Sequence, residues 1–129
     1  CHYNAMNVLS MHALIGAYAP EGHQWVDELR QVLGGNISWA CDFMEQHWEG
    51  VSFSRPQGTY MLFLDCTGWC RTHHTTIDAL QAAGVEVGVI WQDGRPFHGP
   101  CHIRMNLALP HTLVQEAFHR LDQYVFCKK

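Results

Sequence analysis

The chain has 129 residues, which is the size of a single domain, and 47% of them are hydrophobic while 16% are charged. This composition is typical of a globular protein and leaves little room for a long disordered part. The net charge of -4 at pH 7 and the lack of basic stretches interleaved with aromatic residues argue against a nucleic-acid surface. No apolar run approaches the ~20 residues that a membrane-spanning helix needs. We therefore expect neither a nucleic acid nor a membrane as a partner.

The N-terminus and the cysteines bear on processing and on the cellular compartment. The first ten residues lack the basic start and long apolar centre of a secretory signal peptide. The chain begins at Cys1 rather than at a methionine, so we expect it to be processed or cut from a longer protein. A disulfide framework is one interpretation of the even number of cysteines. Reduced thiols in a cytoplasmic protein are favoured, because a chain of this length can build a core without disulfides. The six cysteines are Cys1, Cys41, Cys66, Cys70, Cys101 and Cys127.

The first fifty residues are predicted to form a helical arm. Residues 7–19 are helix-like and almost without charge, so they are expected to lie against another surface. Residues 23–33 have an apolar stripe at helical spacing. Gly34 and Gly35 are predicted to end or bend this helix, because glycine is a poor helix former. A second apolar stripe begins after Asn36 and continues to Trp48.

Residues 51–129 predict an α+β domain. Three segments have strand character, namely residues 59–65, 85–91 and 102–109. Between the first two, Thr75 or Thr76 is expected to cap a helix over residues 77–83 that stops at Gly84. The closing helix is expected to start at a capping box of Thr112 and Gln115 and to bury Leu113, Ala117, Leu121 and Val125. The predicted fold is a small three-stranded, largely antiparallel sheet with helices packed on one face.

One loop has residues that could bind a metal ion. The stretch "CTGWCRTHH", residues 66–74, contains Cys66, Cys70, His73 and His74. Structural zinc sites usually combine two ligand pairs separated by a longer loop, whereas here all four residues fall in nine positions. An ordinary polar loop is therefore favoured over a small metalloprotein, and no metal site is predicted. No glycine-rich phosphate-binding motif is present either.

The most informative segment is "CHIRMNLALP", residues 101–110. Apolar residues alternate there with His102, Arg104 and Asn106, so Arg104 and Asn106 share one face of a strand whose other face is apolar. Such a face is most often the solvent side of a sheet. The planar guanidinium fork of arginine also matches a carboxylate, which would make Arg104 an anchor if the face lined a cleft. Spacing alone leaves both interpretations open.

The pattern "DG-x-x-F-x-G-x-x-x-x-R-x-N-L-A-x-P-x-x-x-x-x-E-A", from Asp93 to Ala117, resembles the C-terminal part of class I/II aminotransferases. These are fold-type-I enzymes that use pyridoxal phosphate. The upstream segments "NVLSMHALIGAYAPEGHQWVDELRQVLGGN", "RPQGTYMLFLD" and "LQAAGVEV" are similar, in the same order, to the cystathionine β-lyase-like branch of C–S lyases and aminotransferases. The resemblance covers nearly the whole chain.

The resemblance implies roles for particular residues. In this family the arginine of the R-x-N motif binds the α-carboxylate of the substrate, and Arg104 occupies that position. Asn106 matches the asparagine of the motif. The resemblance implies a structural role beside the arginine for this residue more strongly than a role in substrate binding. Phe97, His98 and Gly99 match a loop near the substrate entrance. His98 stands where the family commonly has glycine soon after phenylalanine, and Leu109 before Pro110 is a second departure. These two departures leave the identity of the substrate side chain open.

The resemblance also implies what this chain does not supply. Pyridoxal phosphate chemistry needs a lysine for a Schiff base, and the only lysines here are Lys128 and Lys129. In the family that lysine and the phosphate site lie upstream, in the large domain. Residues 1–50 would then be an arm that links to the missing large domain, and residues 51–129 would be the small domain. The catalytic lysine and the cofactor-binding residues are expected outside this chain.

These implications lead to two hypotheses. In the first, the chain is part of a longer protein, which is called the parent below. The parent is expected to be a cytoplasmic pyridoxal-phosphate-dependent aminotransferase or C–S β-lyase that acts on an amino acid. It is expected to be a homodimer, and the isolated chain is expected to be inactive. The alternative is a stand-alone binding or regulatory module with the small-domain fold and no catalysis. The sequence does not distinguish transamination from β-elimination.

Overall fold

The N-terminal part of the chain is helical in the computed structural model, which describes residues 6–127. Helix α1 spans Val8–Ala17, and the side chain of Asn7 caps it by accepting a hydrogen bond of 2.8 Å from the backbone N–H of Ser10. None of the residues of α1 is buried. The helix predicted within residues 7–19 is thus confirmed.

Helix α2 spans Pro20–His47 and passes through Gly34 and Gly35 without interruption. The prediction that the helix ends at these glycines is wrong. A glycine inside a helix costs only about 1 kcal/mol relative to alanine. The burial of Asn36, Ala40, Cys41 and Met44 on one side of α2 outweighs that cost.

The sheet contains four antiparallel strands rather than the predicted three. They are β1 (Ser52–Phe53), β2 (Met61–Asp65), β3 (Gln92–Asp93) and β4 (His102–Asn106), in the spatial order β1-β2-β4-β3. The central pair is β2 with β4, in which Phe63 lies opposite Arg104 and Asp65 opposite His102. Strand β3 pairs with the other edge of β4 and places Gln92 opposite Arg104.

The predicted strand over residues 85–91 is wrong. Helix α4 spans Ile77–Glu86, and the next strand, β3, begins only at Gln92. Gly84 does not stop α4, and it is buried against the indole ring of Trp91. The chain leaves the helix at Gly88, whose φ of +81° lies in the region that glycine adopts at little cost. The cap at Thr76 is confirmed by a bond of 3.2 Å from the backbone N–H of Ala79.

The closing helix also differs from its prediction. Helix α5 spans His111–Leu121 and continues as a π-helical turn over Asp122–Phe126. The capping box at Thr112 is wrong, since Pro110 occupies the cap and no side chain caps the helix. The ring of His111 is hydrogen-bonded to the buried Asn36, and this bond holds the first turn of α5 in place. Val114 and Phe118 face the core together with the predicted Leu121 and Val125, whereas Leu113 is 53% exposed.

The hydrophobic core lies on one face of the sheet, as predicted. Ile103 and Met105 of β4 point into it and are 0% and 5% exposed. Side chains from the second half of α2, from α3 (Thr67–Thr72), from α4, from α5 and from the π-helical turn cover this face. The α+β fold with helices on one face is therefore confirmed, and the opposite face of the sheet remains open for polar side chains.

Two compact units make up the chain, Cys1–Val32 and Leu33–Lys129. The division that the sequence predicted, a linking arm over residues 1–50 and a small domain over residues 51–129, stays a prediction. None of the helices within residues 6–127 combines the length and hydropathy that crossing a membrane requires.

Candidate functional site

Arg104 lies on the open face of the sheet. Because side chains alternate along a strand, His102, Arg104 and Asn106 point away from the core that Ile103 and Met105 enter. Arg104 is half-buried, and its place in β4 is fixed from both sides, by β2 and by β3. As the sequence predicted, Arg104 and Asn106 share the face of β4 that is opposite to its apolar face.

Two neighbours hold the guanidinium group of Arg104. Its Nη1 donates a hydrogen bond of 3.2 Å to the side-chain Oε1 of Gln92. Its Cζ lies 4.5 Å from the ring centroid of Phe97, in the geometry of a cation–π contact. The ion pairs within residues 6–127 involve other arginines, and none of them includes Arg104. In the described part of the chain, Arg104 therefore keeps its positive charge without a carboxylate partner.

The loop that presents Phe97 is tied to the rest of the domain through Arg95. The guanidinium of Arg95 contacts Asp78 and Asp93, each at 2.7 Å, and its backbone N–H donates to Asp93 at 2.9 Å. The two bonds from Arg95 to Asp93, the backbone one first, lower the pKa of Asp93 below its ordinary value. Arg95–Phe97 form a single 3₁₀ turn, and the backbone of Gly94 donates to the carbonyl of His102 at 2.9 Å. The loop is thus fastened both to α4 and to β4.

Asn106 has a local structural bond. Its Oδ1 accepts a hydrogen bond of 2.8 Å from the backbone N–H of Ala108, and the residue is exposed. This bond shapes the turn after β4 and uses one of the oxygen lone pairs. The sequence-based assignment of Asn106 to substrate binding stays a prediction.

A shallow depression of about 450 Å³ lies on the same face of the sheet, next to β1. Phe53, Phe63 and His102 are among its lining residues, and Arg104 is not. The rings of Phe63 and His102 pack at 4.6 Å. Burial alone would raise the pKa of Asp65, but hydrogen bonds from Thr67 and the nearby His102 bring that pKa below its ordinary value. The interpretation in which the face of Arg104 lines a cleft stays a prediction for the complete protein.

In the 66–74 stretch the two cysteines are buried, whereas His73 and His74 are exposed. Cys66 and Cys70 are buried in the core, and burial is the main reason that the pKa of Cys70 rises to about 12. His73 stacks on Trp69 at 4.3 Å between ring centroids. Within residues 6–127 no group of three or more histidine, cysteine, aspartate or glutamate side chains could hold a metal ion. Cys41, Cys66, Cys70, Cys101 and Cys127 are free thiols.

The residue that sequence reasoning missed is Gln92. The segment "QDGRPFHG" reads as a turn-rich loop, and no local signal places its first residue in a strand. The pairing of β3 with β4 brings Gln92 beside Arg104, and this pairing depends on contacts distant in the sequence. Phe97 was marked by the family resemblance as a loop residue, but its contact with Arg104 was not foreseen.

Comparisons with known proteins agree with this architecture. A Mycobacterium leprae protein provisionally named cystathionine beta-lyase is 44% identical over 113 residues, which cover 79% of this chain and 28% of that protein. Protein MalY of Escherichia coli is 29% identical over 118 residues, which cover 85% of this chain and 28% of that protein. The structure of the pyridoxal-phosphate-bound C–S lyase of Staphylococcus hominis superposes with a TM-score of 0.82 at 22% identity, covering 98% of this chain and 33% of that one. No family model matches the chain.

These similarities confirm the resemblance that the sequence indicated. The chain is similar, over most of its length, to the C-terminal part of fold-type-I pyridoxal-phosphate enzymes. Within that class, the sequence similarity points to the cystathionine β-lyase-like branch of C–S lyases. The chain spans only about a quarter of the length of the two curated relatives, 28% of each.

Proposed function

We propose that this chain is the small-domain part of a pyridoxal-phosphate-dependent C–S β-lyase or aminotransferase that acts on amino acids. In this proposal, Arg104 binds the α-carboxylate of the substrate. A C–S β-lyase would convert an S-substituted cysteine and water into a thiol, pyruvate and ammonium. The observation that carries the proposal is the guanidinium of Arg104, held on the open face of the sheet without a carboxylate partner among residues 6–127.

The charge and geometry of Arg104 support this role. An anchor must keep donors available for the substrate, whereas a structural arginine uses them on a neighbouring aspartate or glutamate. Arg55 is an example of a structural arginine, because it donates hydrogen bonds of 2.6 to 3.1 Å to both Asp42 and Glu45. Among residues 6–127, Arg104 donates only to the neutral Gln92, so its charge is available for a carboxylate that binds through two parallel hydrogen bonds.

The cofactor of the parent protein would be held outside this chain. Residues 6–127 contain no lysine, so the amine for a Schiff base is not among the described residues. When bound, pyridoxal phosphate supplies an electron-accepting ring that stabilises negative charge at the substrate Cα. The residues described here would bind and orient the carboxylate on that carbon. A cytoplasmic homodimer is the proposed state of the parent.

The substitution Arg104→Lys in the full-length parent protein tests the proposal. Lysine keeps the charge but loses the planar fork, so the specificity constant kcat/KM for L-cystathionine should fall about ten- to a hundredfold. Thiol and pyruvate release would report β-elimination, and keto-acid formation from an amino-group donor would report transamination. Wild-type kinetics in this variant would contradict the anchor role.

A matched control separates loss of the anchor from loss of an arginine in general. Arg71 of α3 is exposed and takes part in no ion pair of the described residues, so Arg71→Lys should leave kcat/KM unchanged. A second control uses a competitive amine that lacks the α-carboxylate. Its inhibition constant should be the same in the wild type and in Arg104→Lys.

The coding sequence upstream of Cys1 offers an independent test. The proposal expects a large domain there with a lysine that forms the Schiff base. A start codon directly before Cys1 would instead support the alternative of a stand-alone module without catalysis.

A further inference from the structure

We infer that Phe97 and Gln92 are positioning residues for the carboxylate anchor, a role that rests on the proposed function of Arg104. Phe97 supports one face of the guanidinium, with 4.5 Å between Cζ and the ring centroid. Gln92 accepts a hydrogen bond of 3.2 Å from Nη1. Together they restrict an otherwise flexible side chain before the substrate arrives. Such preorganisation lowers the entropic cost of binding a carboxylate.

Phe97 is placed under Arg104 by a loop that the domain holds from several sides. The backbone N–H of Phe97 donates to the carbonyl of Gly94 at 2.9 Å, and Gly94 itself donates to His102 on β4 at 2.9 Å. Arg95, two residues before Phe97, forms ion pairs of 2.7 Å with both Asp78 and Asp93. These contacts hold the backbone that carries Phe97 in place against α4 and β4.

The two glycines of this loop allow it to lie close to the sheet. A Cβ on Gly94 would come within 2.5 Å of the carbonyl oxygen of His102. A Cβ on Gly99 would come within 2.5 Å of the ring of Phe63. Any other residue at either position would push the loop away from β4. The distance between Phe97 and Arg104 is therefore fixed by the close packing of the loop backbone on the strand.

Gln92 has two properties that suit a neighbour of the anchor: it lies within reach of Arg104, and its side chain carries no charge. The register of β3 and β4 places Gln92 directly opposite Arg104, so a side chain of this length reaches the guanidinium. A glutamate here would reach equally far and would form an ion pair that competes with the substrate carboxylate. The amide oxygen holds Nη1 without neutralising the charge. Gln92 thus combines two requirements of an anchor, a fixed direction and an uncompensated charge.

The test uses four variants of the full-length parent with its cofactor bound. Phe97→Leu removes the ring and should lower kcat/KM for L-cystathionine about three- to tenfold through KM, with kcat changed less than twofold. Phe97→Tyr keeps a ring and should recover most of that loss. Gln92→Glu should raise KM at least tenfold. None of these changes should alter the inhibition constant of an amine that lacks the α-carboxylate.

The fourth variant, Tyr124→Leu, is the control, because Tyr124 is as exposed as Phe97 (51% against 48%) and lies outside the site. It should behave as the wild type. A wild-type KM in Phe97→Leu, or equal impairment of Phe97→Tyr and Phe97→Leu, would overturn the role of Phe97. A Gln92→Glu protein with a wild-type KM would overturn the role of Gln92, and this variant decides the question if Phe97→Leu does not fold.

A double-mutant comparison distinguishes this inference from the proposed function. If Phe97 acts through Arg104, Phe97→Leu should have no further effect in a protein that already contains Arg104→Met. A persistent three- to tenfold loss in that background would show that Phe97 acts elsewhere and would overturn the inference alone. Wild-type kinetics in Arg104→Met would overturn the anchor role of Arg104, and the inference would fall with it.

Discussion

At the scale of single residues, the buried Asn36 is the clearest link between distant parts of the chain. It is 0% exposed, and its Nδ2 donates to the carbonyls of Leu107 and Leu109 at 2.9 and 2.8 Å. Its Oδ1 lies 2.8 Å from Nδ1 of His111. The side-chain amide of Asn36 therefore supplies the hydrogen-bond donor for two backbone carbonyls after β4, and it also fixes the start of α5. Because buried polar groups are stable only when hydrogen-bonded, this side chain specifies how α2 meets the end of the strand that carries Arg104.

Replacing Asn36 with alanine should destabilise the chain by about 3 kcal/mol. The substitution leaves the buried carbonyl of Leu107 and the partly buried carbonyl of Leu109 without their donor, and a buried unsatisfied group costs about 1–3 kcal/mol. Asn106→Ala is the matched control, because Asn106 is exposed and makes one local bond to Ala108. It should cost about 1 kcal/mol or less. Urea unfolding of both variants measures the difference, and equal losses would contradict the role assigned to Asn36.

At the scale of elements, two glycines inside helices should respond oppositely to the same substitution. An added Cβ at Gly84 would lie 2.4 to 2.8 Å from atoms of the Trp91 indole, so the ring or the helix must move. An added Cβ at Gly34 would meet nothing within 4 Å. We expect Gly34→Ala to stabilise the chain by about 1 kcal/mol through helix propensity. Gly84→Ala should destabilise it by about 1–3 kcal/mol through overpacking.

Thermal unfolding of the two glycine variants gives the sign of each effect directly. Opposite shifts of Tm would confirm that Gly84 is a packing residue and not a helix stop. A higher Tm in Gly84→Ala would show that Trp91 moves at no cost and would contradict the tight contact.

The elements that the sequence predicted correctly are those in which local pattern and tertiary packing agree. Strand β4 alternates strictly, and its apolar residues Ile103 and Met105 are buried as expected. The segment "VEVGVIW" also alternates, but Trp91 packs on Gly84 and the helix continues through Val85. A pattern of residue types does not reveal which side chains pack together, and here that packing overrides the local β pattern. The same reason explains the candidate site, in which Arg104 was predicted and Gln92 was not.

At the scale of the whole molecule, burial is distributed unevenly between the two units. Between residues 6 and 32 no side chain is buried, although this part includes exposed large residues such as Leu9, Ile15 and Trp25. The unit Leu33–Lys129 contains the sheet and the buried core. Helices that bury no apolar face are stabilised mainly by their own hydrogen bonds, which are marginal for short segments in water. The resistance to local opening should therefore differ along the chain.

Hydrogen exchange followed by mass spectrometry measures this difference. In the 129-residue chain, we expect amides of residues 8–32 to exchange roughly a hundredfold faster than those of β2, β4 and α5, because the former open locally and the latter require disruption of the core. Equal protection of both regions would contradict the prediction. In the full-length parent, the proposed additional domain would cover the apolar residues in the first part of the arm. Exchange in residues 8–32 should therefore slow markedly. If exchange there stays fast in the parent, the arm is not a packing surface, and the proposed assignment of this segment as the link to a large domain fails.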